Sequence, residues 1–184
     1  HPQHRRQRQM CIRDRTKFPI QWAKTQNNLG VAYSDRITED QAQNIENAIA
    51  AYQQALLIYT QTDFPIQWAA TQHNLGTAYW ERITGEQAQN IESAIASYQQ
   101  ALLVYTQTKF PIQWANTQNN LGVAYSDRIT EDLGQNIETA IAAFQHALLV
   151  YTQTDFPMEW AATQNNLGIA YRNRVTGDHC LLYT

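Results

Sequence analysis

The residues of this chain with the most chemical potential are a guanidinium and a carboxylate that keep returning. Arg36, Arg82, Arg128 and Arg174 follow one another at a step of 46 residues, and Glu46, Glu92 and Glu138 keep the same step. An arginine can clamp a developing anion, and a glutamate can move a proton. An active site is rarely copied in every repeat of a chain, so these residues read as structural, pairing or capping between two helices. Glu46 is expected in the first turn of the second helix, where the helix dipole favours negative charge. His73 and His146 stand where sister copies carry Asn and Gln, and they read as surface substitutions rather than ligands. The acidic pairs Glu39-Asp40 and Glu131-Asp132 lack the ligand spacing of a calcium loop. There is no glycine-rich phosphate loop, no His-Glu-x-x-His and no paired-cysteine zinc spacing. No enzymatic activity, cofactor or metal site is expected.

Recognition chemistry remains, and it concentrates where the copies disagree. Residues 18–63 and 64–109 differ at 11 of 46 positions, and residues 18–63 and 110–155 at 7. Five of the differences between the first two copies fall in the expected first helix of the unit: Lys24/Ala70, Asn27/His73, Val31/Thr77, Ser34/Trp80 and Asp35/Glu81. At about 100° per helical residue they share an arc of roughly 100°, opposite Trp22, Leu29 and Tyr33. One reading is a ligand face; the other is an ordinary solvated surface under relaxed constraint. Trp80 is the sharpest of these residues, because Ser34, Ser126 and Arg172 hold the equivalent places. It reads either as an aromatic anchor for a partner or as a side chain packed on the neighbouring helix. Asn27, Asn119 and Asn165, with His73, could hydrogen-bond a peptide backbone, and Asn116 stands at the position of Lys24. The four other tryptophans, Trp22, Trp68, Trp114 and Trp160, recur in every copy and read as core.

The elements that position these residues follow from the 46-residue period itself. Each copy opens on Phe-Pro, at Phe18, Phe64, Phe110 and Phe156. Proline is tolerated in the first helical turn and pushes the residue before it towards an extended conformation. A first helix is therefore expected over about residues 19–36, with Trp22, Leu29 and Tyr33 as its core stripe. A polar connection at Thr38-Glu39-Asp40, with Gly85 and Gly177 in equivalent places, leads to a second helix over about residues 43–61. Ile45, Ala48, Ile49, Tyr52, Ala55, Leu56 and Tyr59 share one arc of that helix. Small Ala48 and Ala55 are expected to face large Tyr33 and Leu29, letting the helices approach closely. Leu57 lies off this stripe and is assigned to contact between units. Nothing alternates with a period of two, so no strands are expected. Neither helix can bury its apolar face alone; stacked hairpins can. The expected fold is all-α, a helical-hairpin repeat solenoid of about three and a half units: 18–63, 64–109, 110–155 and a partial 156–178.

Asn28-Leu29-Gly30 followed by Ala32-Tyr33, then Ala48-Ile49, Tyr52 and Ala55-Leu56, resembles the tetratricopeptide repeat. The same elements recur at Asn74-Leu75-Gly76 with Tyr79, Asn120-Leu121-Gly122 with Tyr125, and Asn166-Leu167-Gly168 with Tyr171. The unit is longer than that family's usual one and is similar to the long type found in bacterial proteins. Those often carry a caspase-like (CHAT) peptidase domain or a signalling ATPase elsewhere in the chain. The resemblance implies a right-handed superhelix whose first helices line a concave groove for a peptide or partner protein. On that basis the candidate binding residues are Lys24, Asn27, Val31, Ser34, His73, Thr77, Trp80, Glu81, Asn116, Asn119, Asn165 and Arg172. Only Lys24 and Arg172 supply cations there, too few for the two-carboxylate clamp of some family members. The leading expectation is a protein–protein interaction scaffold. The alternative is the regulatory or sensor arm of a larger enzyme, with an intramolecular partner domain.

The ends differ in kind from the repeats. Residues 1–15 hold five arginines and one acid, and removing them takes the chain from 13 basic and 16 acidic residues to 8 and 15, a net charge of -7. This head, and the tail at 179–184, resemble translated sequencing-adapter DNA, and both cysteines, Cys11 and Cys180, lie in them. The repeat segment 16–178 is then cysteine-free and acidic, which argues against nucleic acid as a partner. Without a run of about 20 apolar residues, no membrane helix is expected. The location is expected to be cytoplasmic.

Overall fold

Each Phe-Pro pair starts a helix as its chemistry requires. In the computed structural model, which describes residues 15–36, 40–129 and 132–181, Phe18, Phe64 and Phe110 sit at helix N-caps near φ -138, -136 and -138°. The following proline occupies the first turn, where its missing N–H leaves no bond unmade. Seven helices follow among the described residues: α1 (Pro19–Ser34), α2 (Gln41–Leu56), α3 (Pro65–Trp80), α4 (Gln87–Leu102), α5 (Pro111–Ser126), α6 (Leu133–Leu148) and α7 (Pro157–Leu181). No strand is present among the described residues. The Arg-rich head lies almost wholly outside the described residues, as does the end of the tail. None of the described helices is long and apolar enough to cross a membrane.

The second helices begin on polar caps. The side chains of Asp40 and Asp132 accept from the backbone N–H of Gln43 and Gln135, at 3.3 and 2.8 Å. In the middle unit Gly85 turns the loop at φ 77°, a conformation that suits glycine. Buried Asn90 then ties that loop down, donating to the carbonyls of Thr84 (2.8 Å) and Arg82 (3.3 Å). The second helices also end early, at Leu56, Leu102 and Leu148 rather than five residues later. Thr60 is responsible at the first: its hydroxyl accepts from the Asp63 N–H (3.1 Å) and donates to the Asp63 carboxylate (2.8 Å). That local alternative competes with another helical turn. Ending there lets Tyr59 fold inward to 5% exposure against Phe64, ring centroids 5.7 Å apart.

The helices form an all-α solenoid of hairpins. Each first helix packs on its own second helix, and each second helix on the next first helix. Consecutive first helices also approach within 8 Å at Cα, whereas consecutive second helices do not. The stack is therefore tighter along its first helices than along its second helices. Two kinds of core alternate along it. One gathers Ala23, Ala55, Tyr59, Trp68 and Ala69 at the Phe-Pro ends; the other gathers Ile45, Ala48, Ile49, Tyr52 and Leu75 at the opposite ends. Trp68 is buried, while Trp22, Trp114 and Trp160 are partly buried around the tyrosines.

One expectation about packing is extended and two need correction. The close approach of the two helices runs through glycine as well as through Ala48, which is fully buried in one cluster with Tyr33: a Cβ on Gly30, Gly76 or Gly122 would meet the rings of Tyr52, Tyr98 or Phe144 at 2.5, 2.8 and 2.7 Å. Leu29 is 40% exposed although Leu75, Leu121 and Leu167 are 6, 7 and 9%. These leucines pack on the second helix of the preceding unit, and α1 has no such neighbour among the described residues. Leu57, with Leu103 and Leu149, joins no neighbouring unit; all three are more than half exposed, because the helix has ended and the side chain points outward.

Candidate binding face

Rungs of polar side chains join the units, and they absorb several of the residues singled out in sequence. Arg82 grips Glu46 of the preceding unit with both Nε (2.6 Å) and an Nη (2.9 Å), and Arg128 grips Glu92 likewise at 2.6 and 3.0 Å. Arg174 and Glu138 continue the row. The recurring pair is thus an ion pair between units. Glu46 lies in the second turn of α2, not the first, because that helix begins at Gln41. Its carboxyl is held below the ordinary carboxylate range first by its bond to Arg82, then by the Thr84 hydroxyl. A second row has Gln53, Gln99 and Gln145 donating to the hydroxyls of Tyr79, Tyr125 and Tyr171 at 2.9, 3.0 and 3.0 Å.

The third row uses the candidate positions themselves. The Asn27 side-chain amide hydrogen-bonds the Thr71 hydroxyl (3.0 Å), and that of Asn119 the Thr163 hydroxyl (3.2 Å). His73 occupies the same place between the second and third units, its Nδ1 2.9 Å from the Thr117 hydroxyl. Thr117 gives its own proton to the Gln113 carbonyl (2.7 Å), so the consistent tautomer has His73 donating from Nδ1. Its ring lies 5.7 Å from that of Tyr98. Burial lowers its pKa to about 4. The polar groups of Asn27, His73 and Asn119 are therefore engaged with the next unit. Asn116 accepts from the Tyr151 hydroxyl within its own unit (2.6 Å). Lys24, Asn165 and Arg172 are exposed, and Val31 is 36% exposed.

Ser34, Thr77, Trp80 and Glu81 belong to a different part of the face, near the C-terminal ends of the first helices. In the first unit Ser34 is near enough to the Tyr52 hydroxyl to offset part of the upward push that burial gives its pKa. In the second, tryptophan replaces that serine, and Thr77 replaces Val31; the Thr77 hydroxyl now meets that of Tyr98 at 3.1 Å. In the third, Phe144 has no hydroxyl to satisfy, and it is buried to 1%. The substitutions at these positions are thus coupled: moving one hydroxyl from the serine site to the valine site frees the serine site for a large ring.

Trp80 uses that freedom. It remains 42% exposed, yet its indole N–H donates to Asp127 of the next unit at 2.8 Å, which fixes the ring. Beside it lies a cavity of about 260 Å³ lined by Thr77, Trp80, Glu81, Tyr98, Asn120 and Val123. Asp127, Asn120, Val123 and Tyr98 were not among the residues chosen from sequence. The signal for Asp127 was present, since it is the third-unit counterpart of Glu81. The Glu81 carboxyl is pushed above its usual range by partial burial and then by the charge of Asp35. Burial pushes the Tyr98 hydroxyl up to about 12. No group of three or more metal-ligating side chains occurs among the described residues.

No protein-family model matches the chain, and no curated protein matches it.

Proposed function

We propose that this chain is a repeat scaffold of tetratricopeptide type whose first-helix face holds an extended segment of a partner protein. The observation that supports this most is Trp80, a large aromatic left 42% exposed but fixed by Asp127 at the rim of a cavity between two units. A ring already immobilised loses little further freedom on binding, which suits an anchor. The close approach of consecutive first helices adds to this reading, because their faces form one continuous surface across units. The Asn27, His73 and Asn119 positions join units together in this reading. Recognition belongs to Trp80 with Thr77, Glu81 and their neighbours across the junction, and to exposed Lys24 and Arg172 and half-buried Ser34 further along.

The test is selection of displayed random peptides on the intact chain, followed by affinity measurement against Trp80→Ala. Loss of about tenfold or more is expected, a hot-spot effect, with circular dichroism and the melting curve nearly unchanged. Selected peptides that bind the alanine variant equally well would overturn the proposal. Strong destabilisation by the same change would assign Trp80 to packing instead.

A further inference from the structure

Resting on that reading, we infer that the segment held at Trp80 presents a cationic side chain, lysine or arginine, which enters the cavity between the second and third units.

The chemistry of the walls points to this class of occupant. The cavity is lined by apolar and polar uncharged groups, Val123, Tyr98, Thr77 and Asn120, together with the Trp80 ring and Glu81. A long side chain with an aliphatic stem and a charged head matches such a site: stem against the apolar lining and the indole, head beside the carboxylate. The rim carries carboxylates of consecutive units. Glu81 lines the cavity, and Asp127 reaches it through the indole N–H it accepts. Asp35, the counterpart of both in the first unit, is near enough to act on Glu81. The charge felt at Glu81 is thus that of another carboxylate. The arginines that immediately follow Glu81 and Asp127 in the chain are turned away, since Arg82 and Arg128 are each held by two bonds to a glutamate of the preceding unit. A cation arriving from outside would relieve the repulsion between carboxylates and lie beside an indole face, which attracts positive charge. An acidic or carboxylate-terminated segment would meet the same charges as repulsion.

The deciding experiment starts from the tightest peptide whose binding depends on Trp80, resynthesised with each Lys or Arg replaced by norleucine, which keeps the stem and removes the charge. One replacement is expected to weaken binding about tenfold, in the range of a charge-assisted contact. Glu81→Gln and Asp127→Asn should each narrow the gap between the charged and norleucine peptides; both keep a hydrogen-bond acceptor, so the indole stays in place. Glu86→Gln makes the same charge change at an exposed helix start outside the cavity and should leave the gap as it was. Trp80-dependent peptides that lack Lys and Arg, or that tolerate norleucine everywhere, would sink the cationic claim while leaving the binding face standing. A gap that Glu81→Gln and Asp127→Asn leave unchanged would sink it too. Peptides whose binding ignores Trp80, or a selection that yields none, would remove both.

Discussion

The junction between the first and second units and the junction between the second and third are built on one plan and finished differently. Both carry the arginine–glutamate grip and the glutamine–tyrosine rung with nearly the same geometry. Yet the first has an asparagine where the second has half-buried His73, and the first unit has Ser34 where the second has Trp80. The shared bonds hold the stack together whichever side chains vary around them. The differing residues carry what is particular to one place. Near-repetition thus separates support from specialisation inside a single chain.

The largest expected break in this comparison comes in acid. His73 has a folded pKa of about 4, below its ordinary 6.5, because burial disfavours the imidazolium. The unfolded chain therefore binds more protons, and the stability contributed by neutral His73 is lost as pH falls from about 6.5 towards 4. The full loss is on the order of 3 kcal/mol. Urea titrations across that range should show it, with faster hydrogen exchange at the second junction. His73→Asn, which copies the first junction, should flatten the difference. An unchanged slope in that variant would mean that the imidazole is hydrated in the folded state.

Next in size is a change that should strike the units alike. Gly76→Ala and Gly122→Ala drive a methyl into an aromatic ring at 2.8 and 2.7 Å and should each cost about 1–3 kcal/mol. Gly168→Ala, with nothing within 4 Å, should instead stabilise by up to about 1 kcal/mol through helix propensity. Chemical denaturation of the three variants measures both signs. A smaller effect is expected at the ion pairs. Glu46→Gln and Glu92→Gln should lower stability by under about 1 kcal/mol, and equally, since both pairs are partly solvated. Smallest of all, Trp80→Ser combined with Thr77→Val rebuilds the first unit's arrangement within the second. Its melting temperature should stay within a few degrees of the parent, as expected for a change of about 0.5 kcal/mol.

The period, the pairing of helices and the all-α solenoid were legible because near-identical copies expose their own boundaries. Phe-Pro marked each helix start correctly, since proline acts through its own covalent geometry. Helix ends were less legible: Thr60 stops α2 through a side-chain bond that apolar periodicity does not register. That misplaced end also misled the assignment of Leu57. Of the candidate residues, Trp80 could be found by comparing copies. The engagement of His73 with Thr117 could not, because the partner lies 44 residues away across a junction. Asp127 was only half legible: its position varies between the first two copies, but Asp127 itself matches Asp35, and the Trp80 indole that reaches it comes from the preceding unit.

The paired change at Thr77 and Trp80 has a consequence for how such a chain diversifies. A tryptophan placed in the first unit would take away the serine that stands beside the Tyr52 hydroxyl, a loss made good only if a threonine arrived three residues earlier. Where the tyrosine is already phenylalanine, as at Phe144, that obligation disappears. The third unit is thus open to a single-step gain of an aromatic at Ser126, whereas the first must make two moves in concert. The array holds some of its future variants closer than others, and one phenolic oxygen sets the distance.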